Sequence, residues 1–356
     1  FEISEYETLP NVYYIILDGY PRNDVLKEHM NFDNSEFTNL LKQRGFHVAE
    51  SSYANYSFSS QSISSTMNMG YVNFLADQFG EDSREYNPLL GKDVGLYADN
   101  QVIKNFKLMG YKVVKIGSAA TYIHKMPLAD LSPCYKTIHL MDNRLFDAVG
   151  RTSMIGYFIE RWSEEQQRQI VLCDFEELPK INDYFEERVF VWSHITLPHF
   201  PLIFGPNGEP ITPGTSLLTM NHPEYTDDSW DVKQQFVQQI QFTNKKSIEF
   251  IDKILENEKQ SIIIIQSDHG SAFGINLQDP TDDDVFQKLS NLNAIYFPDE
   301  KHREMLTDDR TNVNTFRIVF NSYFGSNYEM LEDRTYWDLS IKKPFWFKDV
   351  TSILLN

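Results

Sequence analysis

Long apolar runs are missing from this 356-residue chain. No stretch comes near the about 18 consecutive apolar residues that cross a bilayer as a helix, so nothing in it reads as a membrane span. Basic residues are few beside acidic ones: 32 Lys and Arg stand against 51 Asp and Glu, a formal net charge of −19. So acidic a chain has no basic stripe with which to displace phosphate counterions, which argues against nucleic acid as a partner. It also argues against electrostatic docking on anionic lipid. Cysteine is nearly absent. Cys134 and Cys173 cannot form a disulfide framework, and a single bridge and two buried thiols stand as equal alternatives. The first residue is Phe1 and no signal peptide is visible, so the expectation is a fragment or processed product whose membrane attachment, if any, lies outside it.

What is present suffices for a core. Hydrophobic residues make up 41% of the chain and aromatics 14%, which excludes general disorder and suits one large α/β domain or two ordinary ones. Val12 to Leu17 is a continuous apolar, β-prone run closed by the turn signal Asp18-Gly19, and it reads as a central strand. Ser35 to Arg44 follows as an amphipathic helix stopped by Gly45. The unit recurs as a helix over Asn100 to Met109, Gly110, and a strand over Tyr111 to Ile116. Val189 to Trp192 is a short buried strand. Val232 to Leu255 carries the longest helical pattern and runs into Ile262 to Ile265, four isoleucines that read as another central strand. Asn293 to Phe297 and Ile318 to Phe320 read as a later strand and helix. Strands alternating with helices predict an α/β fold with a doubly wound, mostly parallel sheet covered on both faces. A single catalytic domain over residues 1–356 is expected, with a small strand appendage over about 326–356. Gly205 to Trp230, with Pro206, Pro210, Pro213 and Pro223, reads as a long surface excursion.

In such a sheet, chemistry gathers beyond the carboxyl ends of the strands. The first strand delivers Asp18, the isoleucine strand delivers Asp268 and His269, and the strand ending near Trp192 delivers His194 and His199. Two carboxylates and an imidazole suit zinc or manganese better than calcium, which favours oxygen ligands alone. Carboxylates gathered in a buried place call for a neutralising cation. The Ser-rich segment Asn55 to Met67 either caps a helix with serine or sets one hydroxyl at a helix N-terminus, where free amides and the dipole favour an alkoxide. Spacing alone does not choose the serine. Asp282-Asp283-Asp284 is a solvated charge run, not a calcium loop. His124, His139 and His222 have no matching ligand partner and receive no role.

Taken in order, Asp18-Gly19, the hydroxyl-rich helix start, His194-x-x-x-x-His199 and Asp268-His269-Gly270 resemble the motifs of the alkaline phosphatase superfamily. Within it the chain is most similar to the sulfatase-like branch that includes lipoteichoic acid synthases and phosphoethanolamine transferases. The resemblance runs from Asn11 to about Gly325 and implies metal ligands at Asp18, Asp268 and His269. Ser59 would be the nucleophile and fourth ligand, because Ser62 then stands three positions later; Ser60 is the fallback. His199 would touch the transferred group or protonate the leaving oxygen. His194 would bind substrate, support a ligand or hold a second ion, and Asn55 would touch substrate. One divalent ion is implied (zinc, manganese or magnesium), with room for a second. The partner implied is a phosphorylated lipid or glycan of the cell envelope, and the location extracytoplasmic, as the soluble domain of a membrane-anchored protein.

The branch ordinarily has threonine at the nucleophile, so serine here leaves the register open by one residue. Sulfatases place Cys or Ser in a C/S-x-P-x-R pattern, which Ser59 to Ile63 lacks. The leading expectation is a metal-dependent phosphotransferase or phosphodiester hydrolase working through a phospho-serine. The alternatives are a hydrolase of sulfuric esters and a non-catalytic glycan-binding member of the same fold.

Overall fold

The continuous apolar runs become the centre of a six-stranded sheet in the order β2-β6-β5-β1-β4-β3. Its strands are β1 (Val12–Leu17), β2 (His47–Val48), β3 (Lys112–Gly117), β4 (Val189–Ile195), β5 (Ile262–Gln266) and β6 (Asn293–Tyr296). The computed structural model of the chain describes residues 9–79, 96, 99–117, 126–134, 156–211, 229–340 and 343–354. His124, His139, His222, Pro213 and Pro223 lie outside them.

β3, β4, β1 and β5 run parallel. β6 is antiparallel to β5 and β2 to β6, so the sheet is mixed at one edge. The α/β class and the mostly parallel sheet are as expected. Two differences bear on function. β4 runs three residues beyond Trp192, so His194 belongs to the strand instead of following it. And a buried apolar strand reads alike in either direction, so the reversal of β6 has no signature in its residues.

Side chains alternate between two faces, as a pleated strand requires. Tyr13, Ile15 and Leu17 pack on one face with α1 (Asn23–Met30), α2 (Ser35–Gln43), α6 (Gly156–Glu177) and α7 (Trp230–Asn257). Val12, Tyr14 and Ile16 pack on the other with α3 (Ser59–Asn68), α5 (Gln101–Leu108) and α9 (Thr315–Tyr323). Between these in sequence lie α4 (Phe74–Phe79) and α8 (Asp282–Leu289). The long polar helix α6 has no counterpart in the reading of the sequence, because its charged residues hide the apolar stripe that carries Val171 and Phe175.

Two features lie off the sheet. Cys134 and Cys173 form a disulfide that ties the segment after β3 to α6. A two-stranded antiparallel hairpin, β7 (Tyr336–Ser340) and β8 (Lys343–Asp349), pairs through Tyr336 with Tyr56, just ahead of α3.

Candidate metal centre and nucleophile

Strand register decides which side chains meet. Leu17 pairs with Ile195 and Ile16 with Gln266, so β4, β1 and β5 end side by side. Asp18 therefore leaves the sheet beside His194 and across from Asp268. Its Oδ2 lies 3.2 Å from His194 Nε2, and its Oδ1 3.7 Å from His269 Nε2. Asp268 Oδ2 is 3.8 Å from the same nitrogen. Asp18, His199 and His269 form one set of potential ligands, and Asp18, His194 and Asp268 a second that shares Asp18; within each set the ligand atoms lie within 4.8 Å of one another.

Backbone geometry holds this cluster. Gly19 has φ +67°, a left-handed turn that aims its N–H at Asp268 Oδ1, 3.0 Å away. The His269 N–H donates to the same oxygen at 3.0 Å. At Gly270 an added Cβ would stand 2.4 Å from the Gln287 carbonyl oxygen and 2.6 Å from that of Ser290, so the third residue of Asp-His-Gly has no room for a side chain. The Ser267 hydroxyl donates to the His269 carbonyl at 2.6 Å and accepts from the Tyr20 N–H at 2.8 Å.

The proton positions follow from the partners. A carbonyl oxygen only accepts, so His269 Nδ1, 2.8 Å from the Gly270 carbonyl, carries the proton, and Nε2 turns its lone pair to the carboxylates. The Lys288 ammonium, 3.3 Å from Nδ1, is then a charge contact, not a hydrogen bond. Burial lowers the pKa of His269 further than Asp268 and Asp18 restore it, which keeps the ring neutral. Asp18 behaves oppositely: burial pushes its carboxyl up, but His199, His194 and His269 together hold it well below the ordinary range. His194 is lowered by burial and raised more strongly by Asp18 and Asp268, ending above its usual value.

The donor set fits a cation. Asp18 Oδ1 and Asp268 Oδ2 are buried and have no hydrogen-bond partner, a state that costs several kcal/mol per uncompensated ion, on the order given by ion desolvation. Ligand atoms about 2.0 Å from a tetrahedral zinc stand about 3.3 Å apart, and the separations of 3.3, 3.7 and 3.8 Å around His269 Nε2 approach that spacing.

The 3.3 Å contact is to Ser59 Oγ. Ser59 is the first residue of α3, where backbone N–H groups lack helical partners. Ser60 Oγ turns away and donates to Gln61 Oε1. Ser62, one turn further on, donates to the Asp268 carbonyl at 2.6 Å and so ties α3 to the end of β5. His199 is half-buried; its N–H donates to the Asp18 carbonyl at 3.0 Å, and its ring stands 6.0 Å from that of His269. Asn55 is fully buried with its amide engaged on both sides, donating to the Arg334 carbonyl at 2.8 Å and accepting from the Val313 N–H at 2.7 Å. It binds chain segments together.

Among solved structures, the C-terminal periplasmic domain of EcEptC from Escherichia coli, in complex with Zn, aligns over 97% of this chain and 94% of its own, with a TM-score of 0.57 at 11% identity. The C-terminal periplasmic domain of phosphoethanolamine transferase EptC from Campylobacter jejuni aligns over 93% and 94%, with a TM-score of 0.54 at 10% identity. The phosphonate monoester hydrolase of Agrobacterium radiobacter aligns over 92% and 80%, with 0.55 at 13%. The fold is alkaline phosphatase-like. No protein-family model matches the sequence, and no curated protein matches it either.

Two residues close to this cluster escape sequence reasoning. Asp338, from β7, accepts from the Ser57 N–H (3.0 Å), the Ser57 hydroxyl (3.0 Å) and the Phe58 N–H (3.2 Å), and so holds the entry to α3. Burial pushes its carboxyl up to about 8, against the pull of those donors and of Lys288. Nothing local marks it, since it lies some 280 positions from its partners. Lys288 is fully buried in α8 and had a faint signal: it falls three residues after Val285, on the inward face. The acidic run beside it caps that helix, with Thr281 Oγ1 accepting from the Asp284 N–H and Asp284 Oδ2 from the Thr281 N–H.

Proposed function

We propose that the chain is a metal-dependent phosphotransferase or phosphodiester hydrolase that acts through a covalent phospho-serine at Ser59. The observation that carries this reading is the position of the Ser59 hydroxyl at a helix N-terminus, 3.3 Å from His269 Nε2, beside two buried carboxylate oxygens without partners. The named activities of similarly folded proteins support it, one being a phosphoethanolamine transferase and one a phosphonate monoester hydrolase.

Asp18, Asp268, His269 and Ser59 would hold the ion, His269 through Nε2. When bound, a divalent cation supplies a lower hydroxyl pKa and a positive charge facing the developing anionic oxygens. Ser59 releases its proton to solvent and its Oγ forms a bond to phosphorus while the bond to the leaving oxygen breaks. His199 Nδ1, 3.0 Å from the Phe200 carbonyl, keeps its proton throughout, so a general-acid role starts from the imidazolium. Nε2 gives its proton to the leaving oxygen, and the neutral ring left behind can take the proton of the incoming water or hydroxyl at the same atom. Water or an acceptor hydroxyl then attacks phosphorus, gives up its proton and frees Ser59. The substrate class we assign is a phosphorylated lipid or glycan head group of the cell envelope. The location we assign is extracytoplasmic, supported by the disulfide Cys134–Cys173, since such bridges persist in oxidising compartments.

Elemental analysis of the purified protein and of Asp268→Ala tests the metal: about one zinc, manganese or magnesium per chain is expected, and sharply less in the variant. Ser59→Ala should abolish cleavage of a nitrophenyl phosphodiester with the fold intact, while Ser60→Ala retains it and a nitrophenyl sulfate is a poor substrate for all three. A wild type without metal, or a fully active Ser59→Ala, overturns the reading.

A further inference from the structure

The loop that follows β4 carries His199, yet it has no helix or strand ladder to fix its backbone. One side chain from another element supplies most of what holds it. Gln239 lies midway along α7 and is completely buried, on the face that also buries Phe236, Ile240 and Thr243. Its Nε2 donates to the carbonyls of Pro198 and His199, each 3.0 Å away, and lies 3.3 Å from that of Pro201. Its Oε1 accepts from the N–H groups of Ile203 (2.9 Å) and Phe204 (3.2 Å). A primary amide offers two donor protons and two acceptor lone pairs, and here all are committed to five residues of one loop, within the span 198–204. Arg168 of α6 holds the far side, donating to the carbonyls of Ile203 (2.7 Å) and Gly208 (2.9 Å) and lying 4.4 Å over the Phe204 ring.

The consequence falls on His199 in particular. Its carbonyl is held by Gln239, its N–H by the Asp18 carbonyl, and its Nδ1 by the Phe200 carbonyl. Three fixed points leave the imidazole one orientation. A buried glutamine also costs free energy unless its amide is satisfied, and a leucine would fill the same space on an apolar helix face.

We propose that Gln239 is a positioning residue for His199: through the loop backbone it sets where His199 Nε2 stands, and hence how well the leaving oxygen is protonated. This rests on the role given to His199 above. A positioning role differs from a merely structural one because its effect must pass through the imidazole.

The test is a double-mutant cycle of Gln239→Met, which keeps the length of the side chain but removes its donors and acceptors, with His199→Ala. The assays use nitrophenyl and phenyl phosphodiesters. Gln239→Met should lower kcat by about 10- to 100-fold, the scale of a misplaced catalytic group, with KM within about twofold. The loss should be larger for the phenyl ester, whose poorer leaving group needs the proton more. In the His199→Ala background it should vanish. Gln239→Glu keeps the acceptor for Ile203 and Phe204 and should recover part of the activity; it also serves if Gln239→Met does not fold. An equal loss in both backgrounds overturns the positioning role and leaves the role of His199 standing. A fully active His199→Ala removes that role itself, and the inference with it. Independent of activity, the His199 ring resonances in NMR spectra should shift or double in Gln239→Met while those of the remote His302 do not. Unchanged His199 resonances overturn the inference.

Discussion

The two ends of the same sheet follow opposite rules. At the amino end, Asn11, Tyr13, Asn182, Arg188 and Glu258 satisfy one another. Tyr13 Oη donates to Asn182 Oδ1 (2.9 Å), Asn182 Nδ2 to Glu258 Oε2 (3.1 Å) and Arg188 Nη1 to Glu258 Oε1 (2.5 Å). The Val189 N–H donates to Asn11 Oδ1 at 2.9 Å and enters the same network. At the carboxyl end, Asp18 Oδ1, Asp268 Oδ2 and His194 Nδ1 are buried without a hydrogen-bond partner. Both ends are polar, the amino end partly open to solvent and the carboxyl end buried, so polarity alone does not mark the site. The difference lies in completeness. A finished network adds stability, whereas an unfinished one is a place where something else is meant to bind.

Substitutions at the two ends should therefore separate activity from stability. The largest effect is expected at Asp268→Asn. It keeps an acceptor for the N–H groups of Gly19 and His269 but removes the charge, so phosphodiester cleavage should fall by at least about a hundredfold. The melting temperature of the metal-free variant should be equal to or above that of metal-free wild type; a large drop would show that the charge is structural. Glu258→Ala is the converse. It strips partners from Asn11, Asn182 and Arg188, and should cost about 2 kcal/mol in a denaturant titration, since the pair is partly exposed, with kcat per folded molecule unchanged. A lowered kcat would link the two ends.

The pH dependence sharpens the contrast through Asp338. Folded, it keeps its proton up to about pH 8, while in the unfolded chain it releases it near pH 4, the ordinary aspartate range. Between those values the unfolded state binds fewer protons, so this group makes stability fall as pH rises, by at most about 1.4 kcal/mol per pH unit. Asp338→Asn cannot titrate and should lose that slope. Denaturant titrations of both proteins at pH 5 and 8 should show the variant gaining on wild type at the higher pH; a constant difference would mean that Asp338 is not held neutral. The smallest effect is expected at Ser62→Ala, which loses the 2.6 Å bond to the Asp268 carbonyl and should cost about 1 kcal/mol.

How much of this was legible depends on whether a residue's role is local. Asp18, Asp268 and His269 each follow an apolar strand, and a strand end in a parallel sheet is a place that periodicity can find. The helix bearing Ser59 was visible, but the orientation of its first turn was not: adjacent residues point about 100° apart, so Ser59 and Ser60 look alike until the helix is set against His269. His194 was visible as a residue, but not as part of the strand. Asp338, Lys288 and Gln239 act across more than 15 residues of sequence through side-chain contacts, and such pairings leave no period to read.

The crowding at Gly270 gives the Asp-His-Gly triplet two kinds of constraint. On the function proposed above, its first two letters serve what they would bind, and its third serves the volume it leaves to the carbonyls of Gln287 and Ser290. In a saturation library over the three positions, clones altered at the first two should remain expressible but inert. Those altered at the third should be lost at the level of soluble yield, before any assay of turnover.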